Sequence, residues 1–328
     1  MRIGLVTNWD DHCAVSDYAH NLVENVTRIC DDVDFKIITP PMTFESVKDR
    51  TVDCDIIHYN YCAHVFQHMD PVKWHTLRHQ GKPVLMTYHE SSDWMTRLLA
   101  KRGVADILII HDRLRDGMPQ PENVRTINFG VPEVDVSDIS VVPNTVGTFG
   151  CAFPWKGLLP LAYVCGQSGY ELRAFLSEPT SEEGKIGWEI LKREISELCN
   201  AQIEVGWHDP ASIVQKLAFC SVVAFPFDER APIQGISASV RYGLAAKRPL
   251  VLTRFFHFSD LYDWENIYWS EDDELSLVLG DAMFGASRGI ADVPYRAIKE
   301  MSWTNSAKKY VDLYREVTIG KSFTVGQS

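Results

Sequence analysis

The chain has 328 residues, 45% of them apolar and 23% charged, which suffices for about two globular domains and excludes a disordered chain. Its net charge of −12 is shared by both halves, with 14 basic against 21 acidic residues before Pro143 and 18 against 23 after it. Neither half is the basic footprint that binds nucleic acid or an anionic membrane surface indiscriminately.

Arg2–Thr7 reads as a first strand; the opening MRIGLVTNWDD has one basic residue and too short an apolar stretch for a signal peptide. No later run approaches the roughly 20 apolar residues of a membrane span. Ser16 is expected to cap a helix whose Ala19, Leu22, Val23, Val26 and Ile29 share one face at three- to four-residue spacing. Strands follow at Phe35–Thr39, Asp55–Tyr59, Pro83–Thr87, Asp106–Ile110 and Val124–Asn128, separated by helical or irregular stretches. The segment from Gly130 to Asn144, rich in proline and small polar residues, reads as a linker.

A second series begins beyond it, with strands at Thr145–Phe149, Glu171–Leu176, Gln202–Val205, Ser221–Phe225 and Pro249–Thr253. Thr180 and Glu183 have the spacing of a capping box for a helix reaching about Leu198. Asp209 followed by Pro210 opens another helix. This alternation predicts an α/β protein of two doubly wound parallel-sheet domains, 1–142 and 143–328, with a cleft between them. The eight cysteines (Cys13, Cys30, Cys54, Cys62, Cys151, Cys165, Cys199, Cys220) include no C-x-x-C pair, and several sit among apolar residues, the pattern of reduced thiols in a cytoplasmic protein.

Ligands of open α/β sheets sit beyond the carboxyl ends of the strands, which ranks the candidate sites. NWDDHCAVSDY, after the first strand, contains no glycine, so the dinucleotide-binding fingerprint is absent. TFGCAFPWKG places Lys156 where a helix begins after the first strand of the second half, and Gly157 allows close backbone approach. That suits an anionic group such as a phosphate; the alternative is a solvated lysine. After Ser221–Phe225, a turn-rich loop with Gly235 leads into a helix from about Ser237, whose small residues Ser237, Ala238 and Ser239 leave amide groups open to an anion. Packing alone is the alternative there, but two such sites on one face suit a diphosphate.

These residues resemble the GT-B glycosyltransferases, specifically the GT4-like (glycosyl transferases group 1) retaining enzymes. TFGCAFPWKGL is similar to the family's strand-to-lysine motif, and PFDERAPIQGISASVRYGLAAKRPLVL to its E-x7-E region in a Gln-Gly variant. SWTNSAKKYVDLYREV resembles the closing helix, about 303–318, that crosses back to the N-terminal domain. HCAVSDYAHNL, DCDIIHYNY, PVLMTYHESSDW, ADILIIHDRLRDGM and VRTINFGVP follow the family order in the first half, so the resemblance spans nearly the whole chain.

The resemblance implies two Rossmann-like domains facing a central cleft, with a nucleotide-diphosphate sugar, of UDP or GDP type, held by the C-terminal domain. It implies retaining, metal-independent transfer to a hydroxyl acceptor held by the N-terminal domain, with no further cofactor. Lys156 would neutralise the diphosphate, aided by the amides around Gly235, Ile236 and Ser237. Gln234 stands where the family has a glutamate on the donor sugar, and His89 matches the histidine that reaches the transferred sugar. Gly150, Glu229, Arg241 and Tyr242 fall on the donor side; Trp207 and His208 are placed to meet the base; Asp17 and Tyr18 fall on the acceptor side.

Three positions depart from the family pattern. Tyr242 replaces the glutamate that grips the ribose, and a phenol makes one hydrogen bond where a carboxylate accepts two. Cys151 replaces an arginine, for which Arg230 or Arg241 would have to substitute, and Ala14–Val15 replaces a glycine-rich loop. These leave open a non-catalytic sugar-nucleotide-binding protein or an epimerase of the same fold. Enzymes of this fold in bacteriophages glycosylate hydroxymethylated DNA bases. Here that would need a basic groove from Arg97, Lys101, Arg102, Arg113 and Arg115, against the acidic balance of the chain.

Other signals carry less. His64/His68 and His75/His79 have helical zinc-ligand spacing, with Cys62 and Asp70 nearby, but lack an H-E-x-x-H or a second cluster. The D-x-D triplets Asp32–Asp34 and Asp53–Asp55 precede strands, at the wrong end of a sheet for ligands. Trp9, Trp94 and Trp207 each follow a strand and are candidates to stack on a sugar or base, or to pack. The sugar, the base, the acceptor (glycan, lipid, small molecule or DNA) and the oligomeric state are not written in these residues.

Overall fold

The computed structural model describes residues 1–39, 43–63, 66, 81–90, 92–177, 182–228, 230, 235–271 and 273–324. They form two compact units: one of residues 1–130 with 233–236 and 303–328, the other of 131–232 with 237–302.

The first unit is built on a six-stranded sheet. Its strands are β1 (Arg2–Val6), β2 (Asp34–Ile38), β3 (Ile56–Tyr61), β4 (Val84–Tyr88), β5 (Ile107–Ile110) and β6 (Val124–Thr126), in the order β2-β1-β3-β4-β5-β6 with every neighbouring pair parallel. β3, β4 and β5 are buried along their whole length, as near-continuous apolar runs require when helices cover both faces. The helices are α1 (Ala14–Ile29), α2 (Phe44–Arg50) and α3 (Asp93–Arg102), joined by the last helix of the chain, α10 (Trp303–Thr324). α10 packs along α1, and its Trp303 ring fills the space beside Gly130, where a Cβ would fall 2.2 Å from the indole. The chain thus returns to its first unit to complete it.

α1 begins two residues before Ser16, with Cys13 at its N-cap, so Ser16 is not the cap expected from sequence. Its hydroxyl instead donates to the Trp9 carbonyl at 2.5 Å and closes the turn after β1.

The second unit repeats the plan with β7 (Val142–Cys151), β8 (Glu171–Ser177), β9 (Ala201–Val205), β10 (Cys220–Phe225), β11 (Leu250–Thr253) and β12 (Tyr268–Ser270). These form a parallel sheet in the order β12-β11-β10-β7-β8-β9. Its helices are α4 (Leu158–Ser168), α5 (Glu182–Leu198), α6 (Pro210–Ala218), α7 (Ser239–Ala245), α8 (Leu275–Arg288) and α9 (Tyr295–Glu300). Asp209 caps α6 as its sequence requires, accepting from the Ser212 amide at 3.0 Å, with Pro210 in the first turn.

The edge strand β12 has only three residues and is not among the strands expected from sequence. α7 starts at Ser239 rather than Ser237, and the Ser237 amide, expected from sequence to be open to an anion, donates instead to the His257 carbonyl at 3.0 Å. Thr180 of the capping box lies outside the described residues. The units divide at Gly130/Val131, the front of the proline-rich linker, since Val131 is buried and bridges to Ser302 in the second unit.

Candidate active site

In the second unit, β7 delivers Gly150 and Cys151 to its carboxyl end, and the chain makes a short 3-10 turn over Pro154–Lys156 before α4. Gly157 closes the turn with φ +70°, and a Cβ there would lie 1.7 Å from the Pro226 carbonyl oxygen just after β10. Only glycine fits both constraints, so the backbone at Lys156 is drawn against the ends of the two central strands.

The Lys156 ammonium lies 3.8 Å from the Phe227 ring centre and 4.6 Å from that of Trp155. Aromatic faces attract a cation but replace little of its hydration. Burial accordingly pushes its pKa down from the usual lysine value to about 7, opposed by the neighbouring Cys151 thiol.

Across from the lysine stand two hydroxyls. A side chain at Gly150 would come 3.5 Å from Ser239 Oγ and 3.9 Å from Lys156 Cε, and Ser239 Oγ lies 2.9 Å from Ser237 Oγ. Gly150, Lys156, Ser237 and Ser239 thus converge on one small space with a cation and hydroxyl groups on its walls. That set can neutralise and hydrogen-bond an anion.

The other residues expected on the donor side divide. Arg241 is fully buried and ion-paired with the equally buried Asp260, inside the core rather than on the surface of the site. Tyr242 is also buried, its ring edge-on to Phe149 at 5.1 Å. His208 packs edge-on against Phe149 and Phe175, and its Nδ1 lies 3.6 Å from Glu204; burial first and Lys216 second lower its pKa. Trp207, beside it, is 38% exposed. Arg230 is paired with Asp228, and the Cys151 side is exposed. Glu229 and Gln234 lie outside the described residues, as do His64, His68, His75 and His79. Among the described residues, no three His, Cys, Asp or Glu side chains cluster as metal ligands would.

In the first unit, His89 follows β4 directly and His111 follows β5 directly. His89 Nε2 is 2.6 Å from Asn60 Oδ1, and its Nδ1 is 3.1 Å from His111 Nε2. Gly235, which with Ile236 belongs to this unit, has φ +57°, and a Cβ on it would fall 1.6 Å from the His89 carbonyl oxygen. His89 and Gly235 are therefore brought together.

Tyr18 packs edge-on against His89 at 4.8 Å, but its buried hydroxyl turns inward to Tyr310 at 2.6 Å rather than toward an acceptor. From Tyr310 a hydrogen-bonded series continues to Thr87 (2.9 Å), His58 (2.8 Å) and Tyr314 (2.8 Å). Asp17 is part-buried on the first turn of α1. Of the basic residues gathered from the sequence, Arg97 is bonded to Asp116 (2.6 Å from Nη2) and Arg115 to Asp112 (2.9 Å), which neutralises both.

Phe227, Asn60 and His111 were not among the residues expected to form the site, and Ser239 was expected there for its amide rather than its hydroxyl. A signal for His111 exists in sequence: it follows its strand as His89 does.

No protein-family model matches the chain, and no curated protein does. Solved structures do match over nearly its whole length. HepE of Anabaena, crystallised with UDP and glucose, has a TM-score of 0.70 at 14% identity, over 96% of this chain and 100% of that one. An alpha-glucosyltransferase in complex with UDP and a 13-mer DNA gives 0.66 at 14%, over 97% and 100%. AviGT4, a glycosyltransferase involved in avilamycin A biosynthesis, gives 0.65 at 14%, over 98% of each chain. The chain has the GT-B fold.

Proposed function

We propose that this protein is a metal-independent, retaining glycosyltransferase that moves a sugar from a nucleotide-diphosphate donor, of UDP type, to a hydroxyl acceptor. The observation that carries the reading is the Lys156 ammonium, held against aromatic faces beside Gly150 and the Ser237 and Ser239 hydroxyls at the carboxyl end of β7. The second unit binds the donor. Lys156 balances negative charge that grows on the diphosphate as the glycosidic bond lengthens, and the serine hydroxyls donate to its oxygens. The departing phosphate accepts the acceptor's proton, and the transferred carbon bonds to the acceptor oxygen on the face the phosphate leaves. The first unit supplies His89 and the acceptor surface.

HepE and the alpha-glucosyltransferase were solved with UDP, which supports uridine as the base. The engagement of Arg97 and Arg115 with aspartates supports an uncharged hydroxyl acceptor over DNA.

The test is a thermal-shift screen of UDP-, GDP-, ADP- and dTDP-sugars with EDTA present, followed by product analysis by NMR. The reading predicts stabilisation by one nucleotide series and a product with the donor's anomeric configuration. Binding without transfer or hydrolysis would point to a non-catalytic module, and conversion of the donor alone to an epimerase. Inverted product, or activity abolished by EDTA, would contradict the mechanism.

A further inference from the structure

The hydrogen bonds around His89 and His111 fix the number of protons on the two rings. The Asn60 side-chain nitrogen donates to the Val15 carbonyl (2.9 Å) and to Thr7 Oγ1 (3.0 Å), so Asn60 presents its oxygen to His89. His89 Nε2 must then carry a hydrogen. At the other end His111 Nδ1 faces the Ile127 carbonyl at 3.0 Å, and it must carry one too. Between them the two inner nitrogens stand 3.1 Å apart, where two lone pairs would repel and one shared hydrogen makes a bond. Two outer protons and one inner proton make three on two imidazoles, one more than two neutral rings hold.

The geometry points to a proton-sharing histidine pair carrying one positive charge, with His111 a positioning residue that acts through His89. Tyr18 packs against both rings, with ring centres 4.8 Å from His89 and 5.1 Å from His111. Several titratable groups stand around the pair. Tyr18 stays a neutral phenol, its pKa raised by burial and by Tyr310. On the β4 side, Glu90 accepts from Cys62 Sγ (3.0 Å) and the Ala63 amide (3.1 Å). On the β5 side, Asp112 is paired with Arg115, with Arg113 between them. Asp17 precedes Tyr18 on α1, and Tyr310 comes from α10.

The consequence for activity rests on the transfer reading above: the protonated pair is the competent form, and transfer falls as the pair loses its shared proton. Two measurements on the full-length protein test this. With histidine-labelled nitrogen-15, NMR should show three protonated ring nitrogens among the four at pH 6. Two protonated nitrogens, one per ring, would overturn the pair. In kinetics, the alkaline fall of wild-type kcat/KM combines loss of the shared proton with loss of the Lys156 ammonium, so beyond both it should be steeper than tenfold per pH unit. His111→Gln, whose amide can still donate to His89, should recover activity relative to His111→Leu and keep only the tenfold-per-unit limb of Lys156. A limb as steep in His111→Gln as in wild type would overturn the regulation. If no donor supports transfer, the catalytic reading fails, and the nitrogen spectra still decide the pair.

Discussion

Replacing Lys156 by methionine separates what the lysine does for the fold from what it does for the ligand. Methionine keeps the length and apolar stem but removes the charge. Burial pulls the folded-state pKa from 10.5 to about 7, so the unfolded chain holds this proton more tightly. Between these two values the unfolded state binds more protons, and stability from this group rises as pH increases through that window. Below pH 7 the folded protein carries its ammonium at full cost. The ligand-free Lys156→Met protein should therefore melt higher than wild type at pH 6, and the gap should close as pH approaches 10.5. Donor binding should move the other way. A charge-assisted hydrogen bond contributes about 1.5–3 kcal/mol, so UDP affinity should drop roughly 10- to 150-fold. Turnover should fall by roughly 100- to 1000-fold if the charge acts on the developing leaving group. Differential scanning fluorimetry across pH and calorimetric titration with UDP read both effects. Wild-type UDP binding should also take up a proton above pH 7, visible as a dependence of the heat on buffer ionisation. A variant that melts lower at pH 6 and binds UDP as wild type does would refute the assignment.

Three further outcomes follow from the geometry. His58 is buried with its pKa lowered by desolvation to about 3, below the usual 6.5 of the unfolded chain; stability should fall as pH drops from 6.5 toward 3, by up to about 1.4 kcal/mol per pH unit, and urea midpoints of wild type and His58→Gln should diverge only in that range. Asp260→Ala leaves Arg241 charged in the core and should cost about 3–5 kcal/mol in chemical denaturation, while the double change Arg241→Met with Asp260→Leu should recover most of it. Gly157→Ala must meet both a positive φ and the Pro226 carbonyl, so it should cost at least about 2 kcal/mol and abolish stabilisation by UDP; a wild-type melting curve with UDP would show that the turn does not set Lys156.

The alternation of apolar runs and helical patterns made both sheets legible, because a parallel strand covered on both faces reads as a short unbroken apolar run. β10, all of it buried, is an example. The edge strand β12 was not read from the sequence, whereas β6, equally short, was. Lys156 was legible as a strand-end lysine followed by glycine. Arg241 was not legible as an interior residue, since its partner Asp260 lies 19 positions away and a charged residue in a helix usually reads as surface. Ser16 misled for a related reason: serine before an apolar period signals a cap, but here tertiary bonding to Trp9 takes its hydroxyl. The His89–His111 pair needed the sheet, because adjacency of β4 and β5 brings together residues 22 positions apart.

A crystal structure with UDP-glucose bound measures the central claim most directly. The account predicts diphosphate oxygens within about 3 Å of Lys156 Nζ, a charge-assisted hydrogen bond, with Ser239 Oγ as a further donor. Nucleotide bound elsewhere on the chain, with Lys156 still resting on Phe227 and Trp155 alone, would contradict it.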